Sequence, residues 1–319
     1  MRARRACARS SCVGAADITR AQVRGSEGDT EYVSSPLHDR LAARLETARN
    51  DDGGFGPRPG LPSEPEPTAL ATLALDDDRA RTWLEEHQRP DGSLALVIGD
   101  QVNAPDDSVN DSPTALAALA MSGAAQEAAI DHVIAHQAIK LDAVSDIVPM
   151  DPTFRGWSWT PFTFGWIEPT SRALLVLQLL RPSATAQIED AVKLLADRSC
   201  VGGGWNYGNR EVWEKELEPF GQTTAIALVG LQGAGDPQVV ADGYATLRNL
   251  WPIENGGMSL GLALLALRFA PDSTEEELAA VEAALAASFD ATAFLDDNVA
   301  LAWATLATGD RLDTITVAR

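Results

Sequence analysis

The chain has 319 residues, 45% of them hydrophobic, and carries 46 Asp and Glu against 25 Lys and Arg, a formal net charge of −21. That length and apolar fraction suffice for a sizeable core. Such an acidic excess repels nucleic acid and anionic membranes, so neither is expected as a partner.

From the start of the chain, residues 1–36 hold Arg2, Arg4, Arg5, Arg9, Arg20 and Arg24 among Ala, Ser and Gly. They show no periodicity and no apolar run long enough for a signal peptide or a membrane span. A disordered Arg-rich extension is expected there, with residues 37–319 forming one domain. Within that domain, amphipathic segments at 37–49, 77–88, 124–137, 185–197, 237–250 and 273–288 read as surface helices, each apolar on one face. Apolar helices follow them, headed by Thr68 in EPTALATLAL, Thr114 in SPTALAALAM, Thr170 in EPTSRALLVL and Thr224 in QTTAIALVGL. Ser259 in GMSLGLALLAL and Asn298 in LDDNVALAWATL take the same place. A helix apolar all round must be covered on all sides, and a one-faced helix covers only one. Six inner helices ringed by six outer ones satisfy both, so an all-α, α/α toroid of about six hairpins is expected. Pro169 suits the start of the third inner helix, and Glu168 faces the positive end of its dipole.

Several motifs resemble the terpenoid cyclases and protein prenyltransferase β subunits, which share the α/α toroid. HQRPDGS at 87–93 resembles the Q-x-x-D-G-S of a squalene cyclase repeat, and LLADRSCVGGGWNYG at 194–208 a degenerate copy. GGFGPRPGLPSEPEPTALATLAL at 53–75 is similar to the prenyltransferase unit. Zinc-dependent prenyltransferases hold their metal with Asp, Cys and His. Here Cys200 is the one Cys in the repeats and no His follows His136, which speaks against that branch. The cyclases begin with an acidic D-x-D-D-T-A motif. FLDDNVA at 294–300 is its nearest match, with Phe294 in place of the first Asp. The resemblance implies Asp296 as proton donor, with Asp297 beside it.

Two residues before each anchor stand Glu66, Ser112, Glu168, Gln222, Gly257 and Asp296. Three carboxylates at one end of one cavity would raise one another's proton affinity, as an acid catalyst requires. The plainer reading, in which Glu66 and Glu168 face a helix dipole and solvent, stays open. Trp157, Trp159, Phe164, Trp166, Trp205 and Tyr207 fall on the loops feeding the third and fourth inner helices. They could line an apolar pocket or plug the gaps between hairpins.

These readings give Asp296, Asp297, Glu66 and Glu168 as catalytic candidates and the six aromatic residues as substrate-binding candidates. The function expected is binding of an apolar, isoprenoid-type molecule with acid-initiated cyclisation, as in a terpene cyclase-like isomerase or lyase. The alternative is a non-catalytic lipid- or partner-binding toroid. His132 and His136 lack a third ligand, so no metal is expected, and no nucleotide, haem or flavin signature suggests a cofactor. Cys7, Cys12 and Cys200 imply no disulfide framework. Scarce lysine and acidic excess fit the cytoplasm of a high-salt organism.

Overall fold

The computed structural model describes residues 35–96, 110, 112–140 and 150–317, all within the compact unit Ser34–Arg319. All but the last two residues of the expected Arg-rich extension lie outside the described residues. Among the described residues, twelve α-helices alternate between an outer and an inner layer. The outer ones are α1 (Pro36–Glu46), α3 (Asp78–Glu86), α5 (Gly123–Ala135), α7 (Thr185–Asp197), α9 (Pro237–Leu250) and α11 (Glu275–Thr292). The inner ones are α2 (Pro65–Leu75), α4 (Thr114–Ala120), α6 (Ile167–Leu180), α8 (Gly221–Gly230), α10 (Gly257–Arg268) and α12 (Asn298–Thr308). Each inner helix packs on the next, and α12 packs on α2, so the ring of six hairpins closes as the all-α toroid expected.

Composition explains the layering. Along α10 every residue from Ser259 to Leu267 is buried, whereas α3 buries only Ala80, Trp83 and Leu84 and turns its charges outward. Each fully buried Leu contributes about 1.5–3 kcal/mol, so the inner ring carries most of the hydrophobic stabilisation. Four of the outer helices, α1, α3, α9 and α11, start at side-chain caps. Asp77 accepts from Arg79 N and Ala80 N at the head of α3, and Thr274 accepts from Glu277 N at the head of α11. With the turn that follows it, α11 is also long and apolar enough to cross a membrane by length and composition; in the ring it is an outer helix packed on α10.

The threonine at the head of the first four inner helices has a shared structural task. Its hydroxyl accepts the main-chain N–H of a loop residue at 2.9 Å and donates to the same residue's C=O. Thr68 holds Phe55 in this way, Thr114 holds Leu94, Thr170 holds Trp157 and Thr224 holds Trp205. A buried N–H that no helix or sheet would pair is thereby satisfied, and the C=O, which in the loops of Phe55, Trp157 and Trp205 also accepts a main-chain N–H, gains a second donor. The last two repeats differ. Ser259 Oγ accepts from Gln222 instead, and Asn298 Nδ2 donates to Gly56 O, tying the last inner helix to the first loop.

Glycine is required where the loops touch the outer layer. Gly92, at φ +87, would place a Cβ 2.2 Å from Ala128 O, and Gly203, at φ +101, would place one 2.6 Å from Asp242 O. Two details depart from the sequence reading. Helix α6 begins at Ile167, two residues before Pro169, because proline is tolerated throughout a first turn whose N–H groups have no helical acceptor. A short antiparallel hairpin, β1 (Glu211–Val212) and β2 (Lys215–Glu216), lifts Trp213 into solvent at its turn.

Candidate functional site: a carboxylate and arginine cavity in the ring

The N-terminal ends of five inner helices open onto one cavity of about 470 Å³. Glu66 comes from α2, Glu168 and Arg172 from α6, Gln222 from α8, Met258 from α10 and Asp297 from the cap of α12, with Arg58 and Tyr207 from the loops. Helix N-termini carry partial positive charge, so this end of the ring favours carboxylates.

Arg172 organises the cavity. Its Nη2 lies 2.6 Å from Glu66 Oε1 and 2.5 Å from Glu168 Oε1, and its side chain is 6% exposed. Because one nitrogen holds both oxygens, they lie no farther apart than the sum of those distances. One guanidinium charge thus serves two carboxylates, leaving one negative charge in excess in a partly desolvated place. Burial pushes the Glu168 carboxyl above its ordinary value; Arg172 opposes this and the like charge of Glu66 adds to it. Burial also works against the charge on Arg172, but Glu168 and Glu66 outweigh it and hold the guanidinium protonated.

Asp296 and Asp297 part company. Ala293, Phe294, Leu295 and Asp296 all have positive φ, between 43° and 61°, forming a left-handed turn without glycine. The turn sends Asp296 outward, where it is half exposed and paired with Arg44, and brings Asp297 to the cavity. Asp297 caps α12, its Oδ1 accepting from Val299 N at 2.9 Å and Ala300 N at 3.1 Å. The cavity therefore gathers Glu66, Glu168 and Asp297, and Asp296 lies outside it.

The aromatic candidates divide as well. Trp205 is fully buried and donates Nε1–H to Leu195 O at 2.7 Å; Trp157 donates likewise to Val133 O at 2.7 Å. Both join a loop to the carbonyl end of an outer helix, which is the plugging role. Trp157 also lines a second cavity, with His132, His136 and Arg155. Trp159 stacks on Trp166 at 5.5 Å, meets Tyr207 edge-on at 6.4 Å, and Tyr207 in turn meets Phe220 at 5.5 Å. This chain of rings reaches the cavity at Tyr207, while Phe164 stands exposed on its own loop. Arg172 was missed from sequence, although a lone charge four residues after Glu168 in an otherwise uncharged helix was a signal for it.

No protein-family model matches the chain, and no curated protein matches it. Solved structures do. A GH76 α-1,6-mannanase from Salegentibacter sp. HEL1_6 superposes with a TM-score of 0.54 at 10% identity, covering 85% of this chain and 97% of its own. An inactive variant of that enzyme, with two aspartates replaced by asparagine and α-1,6-mannotriose bound, gives 0.54 at 10% identity over 86% and 98%. A protein from Actinoplanes gives 0.51 at 15% identity over 88% and 98%. At these identities the likeness establishes the α/α toroid and nothing finer.

The neighbours overturn the expected function. The two from Salegentibacter are α-1,6-mannanases and none is described as a terpenoid cyclase, so the isoprenoid-binding reading, its cyclisation chemistry and the non-catalytic lipid- or partner-binding alternative do not stand. The cavity gives a physical reason: two carboxylates, a buried guanidinium and Gln222 stand among its lining residues, and an apolar hydrocarbon offers such groups no hydrogen bonds. The toroid implied by the cyclase resemblance is the observed fold; membership of the cyclase superfamily is not.

Proposed function

We propose that the chain is a glycoside hydrolase acting on an α-linked oligosaccharide in the central cavity, with Glu168 as general acid and Glu66 as nucleophile. The observation that carries the reading is the pair of carboxylates on one Arg172 nitrogen, with burial raising the proton affinity of Glu168. Glycosidic cleavage needs two carboxyl groups in different protonation states, and a short separation between them suits a covalent intermediate. Glu168 gives its proton to the glycosidic oxygen as the bond to the anomeric carbon breaks. The Glu66 carboxylate, held in place by Arg172, forms a bond to that carbon. Water then attacks the same carbon, Glu168 takes back the proton, and Glu66 leaves as carboxylate. Tyr207 and the rings behind it offer flat apolar faces of the kind that pack on sugar rings, and Gln222 offers an amide to hydroxyl groups. The mannanase neighbours make α-1,6-linked mannan oligosaccharides the first substrates to try.

The test is release of reducing ends from a panel of α-linked oligosaccharides by the unmodified chain, Glu168→Gln and Glu66→Gln. Cleavage should fall at least about 100-fold in each variant, the scale of a lost general acid or a lost nucleophile. No cleavage of any member, or equal cleavage by the variants, overturns the reading.

A further inference from the structure

Each described arginine other than Arg58 interacts through its side chain or charge with another group. Arg40, Arg44 and Arg49 pair with Asp290, Asp296 and Asp77; Arg155 and Arg268 donate to main-chain carbonyls. Arg89 and Arg210 also have partners. Arg58 alone has none, in a chain where acidic residues outnumber basic ones by 46 to 25. It lines the central cavity together with Glu66, Glu168 and Asp297, yet pairs with none of them.

Its backbone, by contrast, is fixed. Asn298 Nδ2 donates to Gly56 O at 2.8 Å, Asn298 N donates to Pro57 O at 3.0 Å, and Leu61 N donates to Arg58 O at 3.1 Å. The repeat anchor of the last inner helix is thereby used to pin the loop that carries Arg58. An exposed guanidinium on a fixed backbone, at a cavity whose own carboxylates are committed to Arg172 and to a helix cap, is available to an anion.

We infer that Arg58 recognises a negatively charged group on the substrate, so that the oligosaccharide taken by this cavity is acidic. This rests on the glycosidase reading and narrows its substrate class. The group is a carboxylate of a uronic acid or a phosphate ester; both present the paired oxygens that a guanidinium fork binds. The charge of −21 elsewhere on the chain repels such a substrate, and Arg58 supplies a local attraction inside the cavity.

The test is calorimetric titration of the full chain carrying Glu168→Gln, so that sugars remain uncleaved, at about 0.15 M salt to screen the overall charge. The probes are α-1,6-mannotriose, the same trisaccharide bearing a terminal phosphate, a trigalacturonate, and inorganic phosphate. One or both acidic sugars should bind about tenfold more tightly than the neutral one, the scale of a charged hydrogen bond. Which of them does so separates phosphate from carboxylate. Adding Arg58→Gln should remove the preference and leave neutral binding in place, and Arg58→Lys should restore part of it. Equal binding of neutral and acidic sugars, or a preference that survives Arg58→Gln, overturns the inference while leaving the glycosidase reading intact. Arg58-dependent binding of inorganic phosphate with no sugar bound supports the anion site, overturns an acidic oligosaccharide as its ligand and defeats the glycosidase reading. No Arg58-dependent binding of any anion overturns the inference.

Discussion

Replacing Arg172 by methionine tests how the cavity is held together. Methionine keeps much of the side chain's apolar bulk and removes the charge that serves Glu66 and Glu168. Removing one partner of a buried ion pair costs about 3–5 kcal/mol, because the remaining charge is left uncompensated. Both glutamates keep 22% of their side-chain surface exposed, so solvent screens part of the loss and the lower end, about 3 kcal/mol, applies. With a urea dependence of about 3 kcal/mol per molar, the unfolding midpoint should fall by about 1 M. The pH dependence has a definite sign. Without Arg172 the folded-state proton affinity of Glu168, already raised by burial, rises further, so the native state binds more protons than the unfolded chain, and stability falls as pH rises. The deficit should be largest near neutral pH and should close as pH falls towards the ordinary glutamate value of 4.5. Urea unfolding followed by circular dichroism at pH values of about 7.5 and about 5 measures both quantities. A deficit under about 1 kcal/mol, or one independent of pH, refutes the reasoning.

Two further substitutions test the frame. Thr170→Val leaves the buried N–H of Trp157 without its acceptor, while the Trp157 carbonyl keeps the main-chain N–H of Trp166, and should cost about 1–3 kcal/mol in urea unfolding. Unchanged stability would show that the threonine anchor is not needed. Leu295→Gly relieves a left-handed residue that is 72% exposed, so little packing is lost, and stability should rise by up to about 1 kcal/mol. A loss of stability would mean that the turn is not left-handed in solution.

The ring was legible because its repeat is written in few residues. A wholly apolar stretch has nowhere to go but inside, and Thr68, Thr114, Thr170 and Thr224 mark each inner-helix head through a hydrogen-bonding task common to all four. The chemistry was not legible, because the motifs that carried the family resemblance serve the frame. In HQRPDGS, Gln88 Nε2 bridges Gly92 O and Ala125 O, and Asp91 accepts from Ser93 N. Those contacts join a loop to the next outer helix and would serve any toroid, whatever reaction it hosts. The two neighbouring aspartates could not be told apart because four successive left-handed residues include no glycine to announce them. Whether Trp157 and Trp205 line a pocket or plug a gap stayed open in the sequence because the outer-helix carbonyls they cap are distant in sequence or belong to another element. Arg58 is an unremarked loop arginine until every other described arginine has been matched with its partner.

The most direct test of the proposed chemistry is the anomeric configuration of the first-formed product, followed by proton NMR during cleavage of an α-1,6-linked mannan oligosaccharide. The two carboxylates meet on a single Arg172 nitrogen, a separation that suits a covalent intermediate on Glu66 and hence two displacements at the anomeric carbon. The account predicts that the α-anomer appears first and equilibrates only later by mutarotation. First appearance of the β-anomer would require a single displacement by water across a wider gap, and would contradict the assignment of Glu66 and Glu168 as the reacting pair.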